Sequence, residues 1–322
     1  MNSNSILFFS FMILGIMMSL CSSNLITVWI GLEISLMCFI PMISGEGLLG
    51  SESSMKYFII QSLSSLLLLF GMMMLVMSLM NLSKLVIIIS LLVKLGVAPF
   101  HMWVLSVVEG LNYFCMFIML FLMKFVPLFL MSMMNSEFML LSLISMLIGS
   151  ISGLIQNSIR KLLAFSSIYN LGVIITCINN NSLWLIYFVI YGFILFCLLF
   201  VINGLNSKYV NQIIMSEYNM AKKLIFWFMI LSMGGLPPLL GFVNKLVIIE
   251  FLLLTNNFIL LISLISTALL VLFFYMRISY ISMMFFSLML KWNLIKPNNI
   301  SLIFVLMNLS SFPVFLLIKS LA

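Results

Sequence analysis

Long apolar stretches, each followed by a short polar segment, run along the whole chain of 322 residues. Most are close to ~20 residues long, the length with which an α-helix spans about 30 Å of hydrocarbon. A membrane β-barrel would instead show alternating segments of about ten residues. The pattern predicts an all-α polytopic membrane protein with about eleven transmembrane helices. The predicted spans are residues 3–20, 24–44, 55–80, 84–103, 111–132, 137–156, 160–178, 183–203, 223–253, 258–283 and 300–318.

The composition agrees with a lipid environment. Hydrophobic residues make up 65% of the chain and charged residues 7%, whereas soluble domains carry about 25% charged residues. No long polar segment separates the spans, so residues 1–322 are predicted to form a single membrane domain. The basic residues are scattered through short loops, which argues against a nucleic-acid partner.

The basic residues also predict an orientation, because loops on the cytoplasmic or matrix side carry an excess of Lys and Arg. With eleven spans, alternate loops share one side of the membrane, and the two sides receive eight and two basic residues. The larger group is Lys56, Arg160, Lys161, Lys208, Lys222, Lys223, Lys291 and Lys296, and the smaller is Lys84 and Lys319. We expect the N-terminus on the matrix or cytoplasmic side and the C-terminus on the opposite side.

Two spans are unlike the rest, because glycine and proline lie close together in their interiors. The fourth contains KLGVAPFHMW, with Pro99, and the ninth contains GGLPPLLGFVNK, with Pro237 and Pro238. Proline removes a helical hydrogen bond, and inside a membrane such breaks are buried in protein or line a polar cavity.

The two breaks occupy corresponding positions, the fourth helix of spans 1–5 and the fourth helix of spans 6–10. This correspondence predicts inverted five-helix repeats at residues 1–132 and 137–283, followed by a C-terminal helix at 300–318. Two unrelated kinks are the alternative.

Four charged residues, Glu33, Lys94, Lys124 and Lys245, lie well inside their spans. Glu33 falls about 14 Å along its helix, near the bilayer centre. A charge at that depth is costly, so each should face protein or water. A static Glu33–Lys94 ion pair would leave two of the three lysines unexplained. A proton relay through lysines and water is therefore our hypothesis, with a purely structural pair as the alternative.

Several polar side chains near these lysines are candidate relay or water-holding groups. The run SSIYN in the seventh span places Ser166, Ser167, Tyr169 and Asn170 within apolar sequence. Their hydroxyl and amide groups either hold water or bond back to the helix, and both alternatives stay open. His101 follows the Pro99 break and serves either a structural hydrogen bond or the relay.

Two other features are not predicted to be sites. The five cysteines form no CxxC pair and lie in or beside apolar runs, which favours buried packing over a metal site or a disulfide. The segment GEGLLG fits the GxGxxG pattern, but a membrane helix precedes it in place of the strand that a dinucleotide site requires. It is predicted to be a flexible loop.

The blocks GLEISLMCFIP, KYFIIQSLSS, KLGVAPFHMW, MKFVPL, RKLLAFSSIYNLGV and LSMGGLPPLLGFVNK occur in this order along the chain. Their order and content resemble NADH dehydrogenase subunit 2 of mitochondrial complex I, in its short animal form, over roughly residues 24–280. That family is related to Mrp-type cation/proton antiporters. One departure is that this chain has Asn170 and Val173 where the family usually has histidine and tryptophan.

The resemblance implies an antiporter-like membrane subunit of respiratory complex I that carries protons, coupled to NADH:ubiquinone electron transfer in partner subunits. Glu33, Lys94, Lys124 and Lys245 would be its proton-translocating residues. The chain itself would hold no cofactor or metal, whereas NADH, FMN, iron–sulfur clusters and ubiquinone would bind partner subunits. The partners would be other membrane-arm subunits, neighbouring antiporter-like subunits among them, and lipids.

The implied location is the mitochondrial inner membrane, with the chain encoded in the organelle and its N-terminus in the matrix. Two alternatives remain: a free-standing secondary cation/proton antiporter, and a scaffold whose buried charges serve only assembly.

Overall fold

The computed structural model describes residues 3–45, 47–77, 80–134, 138–205, 207–215 and 220–284, together with residues 305, 306 and 308. These residues form α-helices, one π-helical turn and an isolated antiparallel bridge between Ser158 and Tyr209. The helices are α1 (Ser3–Cys21), α2 (Leu25–Ser44), α3 (Leu48–Val76), α4 (Met80–Leu95), α5 (Met102–Val108), α6 (Tyr113–Phe117), α7 (Met123–Met133), α8 (Met139–Ile155), α9 (Ile159–Thr176), α10 (Asn181–Leu205), α11 (Val210–Met215), α12 (Met220–Gly234), α13 (Leu240–Leu254) and α14 (Phe258–Met284).

The predicted all-α membrane fold is confirmed. Seven helical stretches are long and apolar enough to cross a bilayer, and the shorter apolar helices Met139–Ile155 and Leu224–Gly234 accompany them. The total of eleven spans stays a prediction, because residues 300–318 lie almost entirely outside the described part of the chain.

Helix boundaries differ from the prediction at two places. Helix α3 begins at Leu48, seven residues before the predicted span, so Gly50 lies in its first turn and not in a loop. Glu52 and Lys56 pair at 2.6 Å there, one helical turn apart, which makes a polar start to the helix favourable. The short helix α11 lies in a segment predicted to be a polar loop.

Three of the five cysteines pack as predicted. Cys115, Cys177 and Cys197 are buried, whereas Cys38 is half-buried and Cys21 is exposed on α1.

The chain divides into two compact units, residues 1–141 and 142–322. In the first unit, α1 and α2 pack with their backbones close together. A Cβ on Gly15 would lie 2.9 Å from the Gly31 carbonyl oxygen, and one on Gly31 would lie 2.9 Å from the Ser19 nitrogen. The Trp29 indole on α2 donates a hydrogen bond of 3.2 Å to the Ser65 carbonyl on α3. Small residues thus allow the close helix contacts that stabilise membrane bundles.

In the second unit, α8 and α9 pack through glycines in the same way. A Cβ on Gly149 would lie 2.7 Å from the Tyr169 nitrogen, and one on Gly172 would overlap the Ser145 hydroxyl. On α14, Arg277 donates two hydrogen bonds of 2.7 Å to the carbonyls of Leu154 and Gln156 at the end of α8. A cation at this end is favourable because the helix dipole is negative there.

Both predicted helix breaks occur, and their local geometry is the same. Helix α4 ends at Leu95 and α12 at Gly234, and the next residues, Gly96 and Gly235, have φ of +68° and +78°. The Gly96 and Gly235 amides each donate to the carbonyl four residues earlier at 3.0 Å. The following amides donate to those same carbonyls at 3.3 Å. This is the Schellman arrangement, which requires a residue with positive φ and favours glycine.

The helices therefore end before their prolines. Pro99, Pro237 and Pro238 lie in the connections that follow, three or more residues after the last helical residue. Glycine ends each helix, and proline, which lacks an amide hydrogen, prevents the chain from resuming it at once.

The fifth span contains a feature that the sequence did not predict. Between α6 and α7, residues Ile118–Leu122 form a π-helical turn, so that Tyr113–Met133 is one continuous span with a local widening. Such turns are rare and often lie at functional sites.

Candidate functional site

In the first unit, two of the predicted lysines line one small cavity. Lys94 is 8% exposed and Lys124 is 4% exposed. The polar residues of the cavity wall are Ser35, Tyr57, Gln61, Lys94, Trp103 and Lys124. About 20 Å³ is open to the centre of a water molecule, which is room for one or two waters. The structure thus brings Lys94 and Lys124 to the same water-sized space.

Lys94 lies in the last turn of α4, where the negative end of the helix dipole favours a cation. Two neighbouring side chains satisfy carbonyls that this helix end leaves without intrahelical partners. The Trp103 indole donates to the Val93 carbonyl at 3.1 Å, and the Gln61 amide donates to the Lys94 carbonyl at 3.4 Å. Helix α5 and helix α3 therefore fix the position of the break around Lys94.

Glu33 lies on α2, half-buried, and exerts a Coulombic attraction on Lys94. Both side chains are described, yet no nitrogen–oxygen distance between them falls within 4.0 Å. The two residues are thus electrostatically coupled without direct contact. The role predicted for this pair stays a prediction.

Lys124 lies near the start of α7, directly after the π-helical turn. Met119, within that turn, and Lys124 both line the cavity although they are five residues apart. In a regular α-helix residues five apart lie about 140° apart around the axis, whereas one π-turn brings them to one face. The π-helical turn therefore directs Lys124 into the cavity.

In the second unit, Lys245 occupies an analogous helix end. It lies on α13, 8% exposed, and its Nζ donates to the Gly234 carbonyl at the C-terminus of α12 at 2.5 Å. A Cβ on Gly235 would lie 2.9 Å from this Nζ. A Cβ on Gly241 would overlap the Ser232 carbonyl, so α13 also approaches α12 closely. Each broken helix thus has a buried lysine at its negative end.

The polar run on α9 bonds mainly to its own helix. Ser166 and Ser167 donate to the carbonyls of Leu163 and Ala164 at 2.8 and 2.7 Å. Asn170 is half-buried, and its side-chain oxygen accepts a hydrogen bond of 2.7 Å from the Tyr187 hydroxyl on α10. The two serines thus bond back to their own helix, whereas Asn170 bonds to a neighbouring helix, and a role in holding water stays a prediction.

Four buried tyrosines lie within or beside this run, and the sequence prediction identified only one of them, Tyr169. We call Tyr169, Tyr187, Tyr191 and Tyr275 the tyrosine cluster; their exposed fractions are 1%, 4%, 5% and 1%. The spacing of Tyr187 and Tyr191, one helical turn apart in an apolar span, was a signal for a shared polar face.

The remaining candidate, His101, lies in the break after Pro99. It is 8% exposed and its imidazole faces the Pro99 backbone. This placement suits the structural alternative, and the relay role stays a prediction.

The described residues contain no cluster of three or more His, Cys, Asp or Glu side chains with the spacing of a metal site. The chemistry that the two sites can perform is proton binding. A buried amine accepts and releases a proton, and hydroxyl or amide groups with water can conduct it.

Comparisons with known proteins agree with this geometry. Residues 22–271 match the family described as NADH:quinone oxidoreductase/Mrp antiporter, transmembrane. The chain is 41% identical over 320 residues to NADH-ubiquinone oxidoreductase chain 2 of Anopheles gambiae, an alignment that covers 94% of each chain. The family match and this level of identity over nearly the whole chain are sufficient to assign the chain to a family.

Two solved structures have a similar fold. One is respiratory complex I from Thermus thermophilus with bound aureothin, with a TM-score of 0.80, 20% identity and coverage of 87% of this chain and 71% of that one. The other is the Mrp complex from Dietzia sp. DQ12-45-1b, with a TM-score of 0.76, 16% identity and coverage of 85% and 59%. At these identities the likeness concerns the fold alone.

Proposed function

This chain belongs to the NADH-ubiquinone oxidoreductase chain 2 family, and we propose that it carries protons through the membrane arm of respiratory complex I. It acts as one subunit of the proton-translocating NADH:ubiquinone reductase, in the mitochondrial inner membrane. NADH, FMN, iron–sulfur clusters and ubiquinone bind partner subunits, and this chain contributes no bond chemistry. Its partners are other membrane-arm subunits, including neighbouring antiporter-like ones.

The observation that carries the proposal is the cavity shared by two buried lysines. Lys94 and Lys124 both line a space large enough for water, and Glu33 attracts the first of them. A change in the charge or position of Glu33 alters the proton affinity of Lys94. A proton released by Lys94 reaches Lys124 through water in the cavity, and Lys245 serves the same purpose at the second break.

We also propose the repeat architecture and the orientation. The matching Schellman ends at Gly96 and Gly235 support inverted repeats at residues 1–132 and 137–283, within a single membrane domain. Lys94, Lys124 and Lys245 would form one row at similar depth. The bias of basic residues supports a matrix N-terminus and a C-terminus in the intermembrane space.

A free-standing cation/proton antiporter is the second candidate, because the fold also resembles the Mrp complex. The alignment with NADH-ubiquinone oxidoreductase chain 2 covers 94% of each chain, which favours the first candidate. Purified chain that exchanges Na⁺ or K⁺ for protons in liposomes without other subunits would favour the antiporter.

The central experiment replaces Lys124 with Met in the assembled complex. Methionine keeps most of the packing of the lysine stem and removes the amine that binds a proton. We expect nearly normal assembly with impaired NADH-driven proton pumping, and slower turnover where coupling is tight. Lys84→Met is the matched control, because Lys84 is exposed. Unchanged pumping and coupled turnover in Lys124→Met would make Lys124 structural and leave the scaffold alternative.

A further inference from the structure

Several buried polar atoms in the second unit make no hydrogen bond among the described residues, and three of them lie on helices that pack around α12. They are the hydroxyls of Tyr191 and Tyr275 and the side-chain oxygen of Asn244. The exposed fractions of these residues are 5%, 1% and 5%. A buried polar atom without a hydrogen bond is destabilising, and native structures usually satisfy such atoms with protein groups or ordered water. The three atoms are therefore candidates for hydrogen bonds to ordered water.

Acceptors face the two hydroxyls from α9. The Tyr191 hydroxyl interacts with Ser167 and Asn170, and the Tyr275 hydroxyl interacts with Ser166, but none of these pairs has the geometry of a direct hydrogen bond. Because Ser166 donates its proton to its own helix, its oxygen lone pairs remain able to accept. A water between Tyr275 and Ser166 could accept from the tyrosine hydroxyl and donate to the serine oxygen.

The same groups connect to Lys245 through packing and hydrogen bonds. The Asn244 amide donates to the Tyr187 carbonyl at 3.4 Å, and Asn244 precedes Lys245 on α13. Gly234, whose carbonyl accepts from Lys245, packs against Tyr275, since a Cβ on Gly234 would lie 3.6 Å from the Tyr275 Cβ. Tyr191 and Tyr275 also interact electrostatically. These contacts connect α10, α13 and α14 around the end of α12.

We infer that ordered water binds between Tyr191, Tyr275 and Asn244, and that these hydroxyls and waters form the route by which protons reach Lys245. This inference rests on the proposed function. Each hydroxyl accepts a proton on its oxygen as it passes its own proton to the next oxygen, so no tyrosine changes its net charge. The Asn170 side-chain oxygen accepts a hydrogen bond of 2.7 Å from the Tyr187 hydroxyl. Asn170 therefore fixes the position of Tyr187 but does not titrate.

The first test is structural. The assembled complex, imaged at a resolution that shows waters, is compared with the same complex carrying Tyr275→Phe, which keeps the ring and removes the hydroxyl. We expect water within hydrogen-bond distance of Tyr191 and Tyr275, and loss of the water at residue 275 in the variant. Density without water at both hydroxyls in the unsubstituted complex would overturn the inference.

The second test is functional. The complex carrying Tyr191→Phe and Tyr275→Phe, singly and together, is reconstituted in liposomes, and the NADH-driven proton-pumping rate per assembled complex is measured. We expect a loss of about twofold to tenfold for each hydroxyl, the range that corresponds to one net hydrogen bond. Tyr280→Phe is the control, because Tyr280 lies on α14 like Tyr275 but is 59% exposed.

Lys124→Met, measured in parallel, separates the two claims. If Lys124→Met slows pumping and the double tyrosine variant does not, the route through Tyr191 and Tyr275 is wrong and the proposed function stands. If neither slows pumping, the proposed function fails as well. If the double variant does not assemble, the single variants and the water positions decide.

Discussion

In the proposed function, Glu33 controls the proton affinity of Lys94. Its attraction acts across a gap, so no hydrogen bond fixes the separation, and a displacement of either side chain changes the proton affinity of the lysine. A carboxylate held in such a position suits a switch better than a static clamp.

Glu33→Gln removes the charge and keeps the shape of the side chain. We expect it to slow proton pumping by about tenfold, which corresponds to an interaction of about 1.4 kcal/mol. The pumping rate of the assembled complex in liposomes is the measurement, and Glu52→Gln is the control, because Glu52 pairs with Lys56 at the exposed start of α3. Equal rates for both variants would assign Glu33 to assembly.

Asn170→His tests the position at which this chain departs from its family. A neutral imidazole can accept the hydrogen bond that Tyr187 donates to Asn170, whereas an imidazolium can only donate. We therefore expect near-normal pumping at pH 8 and a decline below about pH 6.5, the ordinary range of histidine titration. The unsubstituted complex should show no such decline, and a variant with a flat pH profile would contradict the role of Asn170 as an acceptor.

At the residue scale the sequence predicted which lysines lie in the interior, but it did not identify most of the buried hydroxyls. A lysine inside an apolar span is costly enough to stand out, and Lys94, Lys124 and Lys245 all proved buried. Tyrosine is common in membrane helices as an apolar side chain with one polar atom. Only the packing of α9, α10 and α14 shows that Tyr191 and Tyr275 direct that atom toward each other and toward the serines.

Among the helices, the two breaks depend on glycine more than on proline. Gly235 has φ of +78°, and the Lys245 amine lies where an added methyl group would go. A side chain at this position would both strain the backbone and displace the lysine.

Gly235→Ala is expected to lower the free energy of unfolding by about 1–2 kcal/mol, the cost of the left-handed conformation for a residue with a Cβ. We also expect slower pumping. Gly204→Ala is the matched control, because nothing lies within 4 Å of its added methyl group and its φ is not positive. Melting of the purified complex and the pumping rate are the measurements. A Gly235→Ala complex as stable and active as Gly204→Ala would show that the break tolerates a Cβ.

The sequence predicted that these two spans are interrupted, because proline is a strong local signal. It placed the interruption at the prolines, whereas the helices end at Leu95 and Gly234. Lys94 consequently lies in the last turn of a helix and not in its interior. In the last turn, the negative end of the helix dipole stabilises the lysine cation. The exact end of the helix depends on backbone torsions, which cannot be read from composition.

For the whole molecule, the membrane fold followed directly from hydropathy, since a run of about 20 apolar residues has few alternatives to a transmembrane helix. Orientation is a separate matter that depends on a few loop charges. Lys84 and Lys208 belong to the opposite predicted sides, and both are exposed.

Cysteine labelling tests this orientation. In a Cys21→Ser background, which removes the exposed native thiol, we expect Lys208→Cys to react with an impermeant maleimide only from the matrix side. Lys84→Cys should react only from the intermembrane side. Intact mitoplasts and inverted vesicles supply the two accessible faces, and the reverse labelling pattern would invert the proposed topology.

The π-helical turn at Ile118–Leu122 separates two properties of a membrane helix that hydropathy treats as one. Apolar content determines whether the span is inserted, but angular phase determines which side chain faces the interior. The wide turn holds about one residue more than a regular turn, an offset of roughly 100°. A related chain that lacks one residue between Phe117 and Met123 would insert equally well and carry the same lysine. It would nevertheless present the amine to a different neighbour, so alignments of this family have to be read for single-residue gaps here before the lysine is considered equivalent.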